Sequence, residues 1–322
     1  MPRIRLGAVL AVALAAAFVT WLFLGREDES APAPAAFGPA LVSRARLETL
    51  ATSAEPPLYW VGVRPGFRLE LTRAPGERVF VRYLSAGVAA GDRRAAFLTV
   101  GTYAQPNGFN EVRAASRRNG AVALPLAGGG LAVYNRGRPQ SIYLGYPNRE
   151  YQVELYDPDT SEARRLVTTG QLTRVGDPPP PKSLPRPISE RALERLADFL
   201  DLPIHWAGAR PGFRLELTQT PEGRVFLRYL PAGAKVGDRR AAFLTVATYP
   251  QEDGFAAVRA AARRPGAVSL ELPGAAIAVF DRRRPTSVFL SRPGAPYQVE
   301  VFHPDASEAR RLILSGEIVP IG

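Results

Sequence analysis

The chain has 322 residues, 46% of them apolar, and carries 41 Lys and Arg against 30 Asp and Glu, a formal net charge of +11. It has no cysteine, which excludes a disulfide framework, a thiolate metal site, a cysteine nucleophile and a lipid-modified N-terminal Cys. The length predicts about two domains, the apolar fraction is that of an ordinary globular chain, and the basic balance favours anionic partners.

Arg3 and Arg5 precede an uncharged run over residues 6–24, and Glu27, Asp28 and Glu29 follow it. At 1.5 Å per residue this run makes a helix of roughly 28 Å, close to the hydrocarbon core of a bilayer. Trp21 lies near its outer end, and the positive charge lies on its N-terminal side. The positive-inside rule then leaves the N-terminus in the cytoplasm and the bulk of the chain extracytoplasmic. The expectation is a membrane anchor over 1–26. The competing reading is a cleaved signal peptide, with small residues at 31–36 as the cleavage region. Residues 27–42, rich in Ala, Pro and acids, read as a stalk with little reason to fold.

The rest is a tandem duplication. Residues 91–100 (GDRRAAFLTV) recur letter for letter at 237–246, and the spacing holds without a gap from Ser43/Ser189 to Gly176/Gly322. About 75 of the roughly 134 aligned positions are identical. The predicted domains are 43–176 and 189–322, joined by a Pro-rich linker over 177–188.

Each copy opens on a helix with Ser43 or Ser189 as N-cap, followed by Leu47, Leu50 and Ala51 at helical spacing. Phe67, Leu69 and Leu71 alternate with Arg68, Glu70 and Thr72, the period of a half-buried strand with Phe67 facing the core. Residues 79–84 read as its hairpin partner. Gly91 and Asp92 make a turn into a buried strand over 97–100. Phe109, Val112 and Ala115 mark a short helix stopped at Gly120. Apolar runs at 122–126, 131–134, 142–144 and 151–156 are separated by short turns, so antiparallel pairing is expected. Asp159 with Glu162, and Asp305 with Glu308, form a capping-box pattern that opens a last helix. The fold class is therefore α+β: two homologous domains, each a mainly antiparallel sheet with about three short helices.

The two histidines, His205 and His303, face Tyr59 and Asp157 in the first copy, so no histidine chemistry is common to both copies. No phosphate loop, zinc spacing or nucleophile elbow occurs, and no cofactor or metal is expected. Glu70 and Glu154 alternate with apolar residues, which predicts a solvated sheet face. Asp92, with Arg93 and Arg94, reads as a turn residue that binds its own backbone or a neighbouring guanidinium, repeated as Asp238, Arg239 and Arg240.

The candidate binding site is a basic face with aromatic neighbours: Arg68, Arg82 and Tyr83, repeated as Arg214, Arg228 and Tyr229. Strand alternation puts Arg68, Arg82 and Glu70 on one side of the hairpin. Removing both arginines is expected to weaken polyanion binding with little loss of melting temperature. The competing reading is compositional, since only two of the 41 basic residues are Lys in a chain rich in Ala, Pro and Gly.

The pattern running from Trp60 through Arg64-Pro65-Gly66-Phe67, with Arg82-Tyr83-Leu84, Phe97 to Tyr103 and Tyr151 to Pro158, resembles uncharacterised membrane-anchored exported proteins of high-GC Gram-positive bacteria. The resemblance covers both repeats and implies localisation without an activity. More loosely, a strand-rich module closed by a helix is similar to the extracytoplasmic modules attached to anti-sigma factors. The expected function is binding or scaffolding in the cell envelope. The partners would be an anionic envelope polymer, lipid head groups or another envelope protein, and not nucleic acid. The alternatives are a ligand-free structural or sensory ectodomain and a carboxylate-dependent envelope hydrolase.

Overall fold

The computed structural model describes residues 37–178 and 184–321. The chain divides into two compact units between residues 179 and 180. The expected anchor over residues 6–24 lies outside the described residues. Among the described residues no helix is long and apolar enough to cross a membrane.

Unit 1 runs β1 (Phe37–Val42), α1 (Arg44–Ala51), β2 (Tyr59–Trp60), β3 (Phe67–Ala74), β4 (Arg78–Ser85), β5 (Thr99–Ala104), α2 (Gly108–Ala115), β6 (Ala121–Pro125), β7 (Leu131–Asn135), β8 (Arg138–Gly145), β9 (Tyr151–Tyr156), α3 (Thr160–Thr168) and β10 (Thr173–Arg174). Eight strands form one sheet in the order β1-β3-β4-β5-β9-β8-β7-β6, and β2 pairs with β10. Every pairing is antiparallel. Among the described residues the two units together hold six α-helices, so the class is α+β as expected.

The period-two pattern decides what each strand buries. Leu71, Val81, Val100, Leu155 and Ile142 follow one another across the register and are almost fully buried. Helix α3 covers that face: its Arg164 guanidinium stands 5.6 Å from the Tyr134 ring centre, and Tyr134 shares the face with Ala132 and Leu144. The opposite face is also covered. A Cβ on Gly145, which shares that second face with Tyr143, would lie 2.9 Å from Phe109 Cα and 3.2 Å from Val112 Cγ2 in α2. On this second face Glu70 is fully buried, while Arg82, Tyr143 and Glu154 are half-buried.

Strand β1 lies in the stretch read as stalk. Val42, Leu41 and Ala40 pair with Leu69, Glu70 and Leu71, and the register shifts between Phe37 and Ala40, around Gly38 and Pro39. An edge strand tolerates a proline because one side of its ladder needs no donor. Pro39 then packs at Gly91, whose φ of +81° suits glycine and where a Cβ would sit 3.1 Å from the proline ring.

Unit 2 repeats this plan with β11 (Arg186–Ile188), α4 (Glu190–Leu200), β12 (His205–Trp206), β13 (Phe213–Gln219), β14 (Val225–Pro231), β15 (Thr245–Pro250), α5 (Gly254–Ala262), β16 (Ala267–Glu271), β17 (Ile277–Asp281), β18 (Arg284–Ser291), β19 (Tyr297–Phe302), α6 (Ala306–Leu314) and β20 (Val319–Pro320). Its sheet has the order β11-β13-β14-β15-β19-β18-β17-β16. Strand β11 uses the last residues of the Pro-rich linker, as β1 uses the stalk. The opening helices are capped as the sequence predicts: Arg46 N–H donates to Ser43 Oγ at 3.2 Å, and Ala192 N–H to Ser189 Oγ at 3.3 Å.

Candidate functional site

The identical decapeptide closes over the β3–β4 hairpin. Glu70 and Arg82 are register partners, and Arg82 Nη1 donates to Glu70 Oε1 at 2.8 Å. The loop completes the arrangement: Gly91 N–H donates to Glu70 Oε2 at 2.6 Å, and Arg82 Nη2 donates to the Asp92 carbonyl at 2.7 Å. The Arg82 guanidinium also lies over the Phe97 ring, 5.1 Å from its centre. Glu70 is 0% exposed, which overturns the expectation of a solvated face. Unit 2 repeats the arrangement, with Arg228 to Glu216 at 2.8 Å, Gly237 to Glu216 at 2.5 Å and Arg228 over Phe243 at 5.0 Å, while Arg228 Nη2 donates to the Arg240 carbonyl at 3.3 Å.

Asp92 behaves as the turn reading expects. Its carboxylate accepts from Arg94 N–H at 2.9 Å and from the Arg94 guanidinium, whose hydrogen bonds hold its pKa down at about 2. Asp238 and Arg240 do the same. Arg93 and Arg239 are exposed beside them.

The structure does not assemble the proposed basic aromatic face. Arg82 and Arg228 are spent on holding the decapeptide. Tyr83 and Tyr229 are 1% exposed and point to the other side of the hairpin. Tyr83 Oη accepts from Val61 N–H and donates to the Gly62 carbonyl, both at 2.9 Å, and burial raises its pKa. Tyr229 repeats the pattern, and burial pushes it up to about 12. Arg68 and Arg214 remain nearer the surface, donating to the carbonyls of Val88 and Ala234.

Phe67 and Phe213 depart from the expectation of a core position: they are 43% and 45% exposed. Each begins its strand just after the Pro-Gly turn, beyond the cover that hides Leu69 and Leu71. The Arg64 guanidinium lies 5.5 Å from the Phe67 ring centre and 2.9 Å from Glu162. In unit 2, Phe213, Arg210, Phe243 and His303 line a cleft of about 190 Å³. The sequence signal for this was the second copy of Arg-Pro-Gly-Phe, which alternation alone misassigns.

His303 and Asp157 occupy matching positions in the two copies and share one task. Asp159 N–H donates to Asp157 Oδ1 at 2.9 Å, and Asp305 N–H donates to His303 Nδ1 at 3.1 Å. Each thus takes the backbone donor that a full capping box would give to Glu162 or Glu308. Those glutamates pair instead with Arg165 and Arg311. Burial raises the Asp157 pKa to about 6 and lowers that of the buried His205 to about 4.

Among the described residues no three His, Asp or Glu converge into a group that would hold a metal. The shared carboxylates have separate partners: Glu70 holds Arg82, Asp92 holds Arg94, Glu154 accepts from Tyr103, and Asp159 caps a helix.

No family model and no curated protein matches this chain. Solved structures with a distant likeness include the Pseudomonas aeruginosa MucA/MucB complex, at 14% identity and TM-score 0.18 over 82% of this chain and 91% of that one. MucB in complex with MucA(peri) gives 14% and 0.18 over 87% and 100%. A DNA polymerase sliding clamp from Pseudomonas aeruginosa gives 13% and 0.11 over 85% and 67%. Scores this low do not reach a shared overall fold, and nothing about function is drawn from them.

Proposed function

We propose that the protein is a membrane-anchored, extracytoplasmic tandem-domain binding or scaffold protein of the cell envelope, without enzymatic activity. The observation that carries this reading is the pair Phe67 and Phe213. Each unit presents the same half-exposed phenylalanine at the same turn, next to Arg64 or Arg210. Phenylalanine and arginine are among the side chains enriched at protein interfaces. Two such tips on one chain allow bivalent engagement, in which linkage raises avidity without new contacts.

The basic balance supports an anionic partner, such as an envelope polymer or lipid head groups. In unit 2 the Arg282 N–H donates to the Gly266 carbonyl at 3.0 Å. That bond ties the turn holding the exposed Arg282, Arg283 and Arg284 to the exit of α5, where Arg263 and Arg264 are exposed.

The test is capture of an envelope component by the soluble 37–322 fragment from isolated envelope fractions. Phe67→Ala with Phe213→Ala should reduce capture strongly and either change alone only partly. Salt should weaken an anionic contact, since exposed charges are screened beyond roughly 8–10 Å. Equal capture by wild type and the double variant would remove the phenylalanines from the reading. In cells, the full chain should stay in the membrane pellet through a salt wash. A soluble species beginning near residues 31–37 would replace the anchor with a cleaved signal.

A further inference from the structure

Unit 2 contains a cavity of about 270 Å³ beneath the C-terminal end of α6. Its walls are apolar: Leu290 and Val299 from the sheet, Ile313 from α6, Ile318 from the tail and Leu272 from the turn after β16. Four polar side chains also line it, His205, Ser291, Arg292 and Tyr297, and its described lining includes no acidic residue.

The first copy has a tyrosine at each of three corresponding positions. Tyr59, Tyr146 and Tyr151 stand where unit 2 has His205, Arg292 and Tyr297. The Tyr59 and Tyr151 hydroxyls are 3.0 Å apart, and their ring centres 5.9 Å. Tyr146 packs on Gly130 so closely that a Cβ there would lie 2.6 Å from its ring. Unit 2 has Ala276 in place of that glycine, so a tyrosine at 292 would collide with a methyl group. The changes are coupled: a smaller imidazole replaces one ring, an exposed guanidinium replaces another, and the glycine that one ring required has become alanine.

We infer that this cavity binds a small amphipathic carboxylate, with its apolar tail against Leu272, Leu290, Ile313 and Ile318 and its acid group at Arg292. The wall chemistry sets the tail. Apolar lining with a few placed polar groups is the usual make-up of a small-molecule site. The charge sets the head group. Arg292 is exposed at the rim, and an arginine–carboxylate contact is a charge-assisted, directional hydrogen bond. His205 is 1% exposed, with its Nδ1 3.2 Å from the Pro203 carbonyl, so its ring forms part of the wall. The volume sets the length. At about 270 Å³ it lies just below the roughly 300–1,000 Å³ usual for ligand sites, which suits a short chain such as octanoate. This site is independent of the envelope partner proposed above.

The test titrates the full chain with octanoate and, separately, with octylamine, read by calorimetry and by NMR shifts of Tyr297. Octanoate should bind one site per chain, at least about tenfold more tightly than octylamine, the scale of one charge-assisted contact. Arg292→Ala, at an exposed position, should weaken octanoate by a similar factor. The triple variant His205→Tyr, Ala276→Gly, Arg292→Tyr imports a set that the same backbone already accommodates in unit 1, and it should abolish binding. Equal affinity for octanoate and octylamine would overturn the inference. So would unchanged binding by Arg292→Ala or by the triple variant, or no binding by wild type at millimolar ligand. Should the triple variant fail to fold, Arg292→Ala still decides.

Discussion

Glu70 and Arg82 stand opposite one another across the first hairpin, and the Gly91–Asp92 turn that opens the decapeptide is fastened to both of them. The carboxylate is fully buried, and its second oxygen takes the Gly91 backbone donor. Such a pair is weak evidence of net stability, but breaking it from one side strands a buried charge. Arg82→Ala should therefore destabilise unit 1 by about 3–5 kcal/mol, measured by urea unfolding. Arg82→Met combined with Glu70→Leu should recover a large share of that loss. This reverses the sequence-based expectation that arginine removal here leaves the melting temperature nearly unchanged.

Strand β1 makes the first residues of the stalk part of the fold. A fragment starting at Phe37 should give a more stable unit 1 than one starting at Ser43, because the shorter fragment exposes the edge of β3. The same holds for a start at Leu184 against Ser189 in unit 2. Thermal melts of the four fragments check this, and equal midpoints within a pair would leave the edge strand without energetic weight.

The two units should respond oppositely to pH. His205 has a folded pKa of about 4, below its ordinary value of 6.5, so the stability it contributes is present above pH 6.5 and is lost as pH falls towards 4. Full loss is worth up to roughly 3 kcal/mol. Asp157 has a folded pKa of about 6, above its ordinary 3.8, so its contribution is present below pH 3.8 and is lost as pH rises through 6. Between pH 4.5 and 7 the 184–321 fragment should gain stability and the 37–178 fragment should lose it through these groups. His205→Tyr should flatten the first slope and Asp157→Asn the second, as read by melts across the window.

Two glycines that begin helices are required for close approach rather than for capping. A Cβ at Gly254 would lie 2.2 Å from the Tyr297 carbonyl oxygen, and one at Gly108 would lie 2.7 Å from that of Tyr151. The obstacle is backbone and cannot swing aside. Gly254→Ala should cost about 1–3 kcal/mol or more by overpacking, and Gly108→Ala somewhat less. Chemical denaturation of each variant reads the difference.

The duplication, the α+β class, the antiparallel hairpins and the helix caps at Ser43, Ser189, Asp159 and Asp305 were all legible in residue order. They depend on contacts between near neighbours, and alternation, turn residues and capping side chains record these directly. What sequence reasoning misplaced depended on partners distant in the chain. Glu70 looked solvated because alternation tells which side a residue faces and not what lies over that side; a loop some twenty residues on buries it. Phe67 looked buried for the same reason in reverse, since its strand outruns its cover. Pro39 and the edge strand around it read as stalk because the composition of that stretch does not include its pairing with β3. The cavity of unit 2 needed still more, because His205, Ala276 and Arg292 are scattered over almost ninety positions and only the folded sheet brings them to one wall. Local periodicity is written into the chain by covalent geometry, whereas cover, cavities and ion pairing are set by which distant surfaces meet.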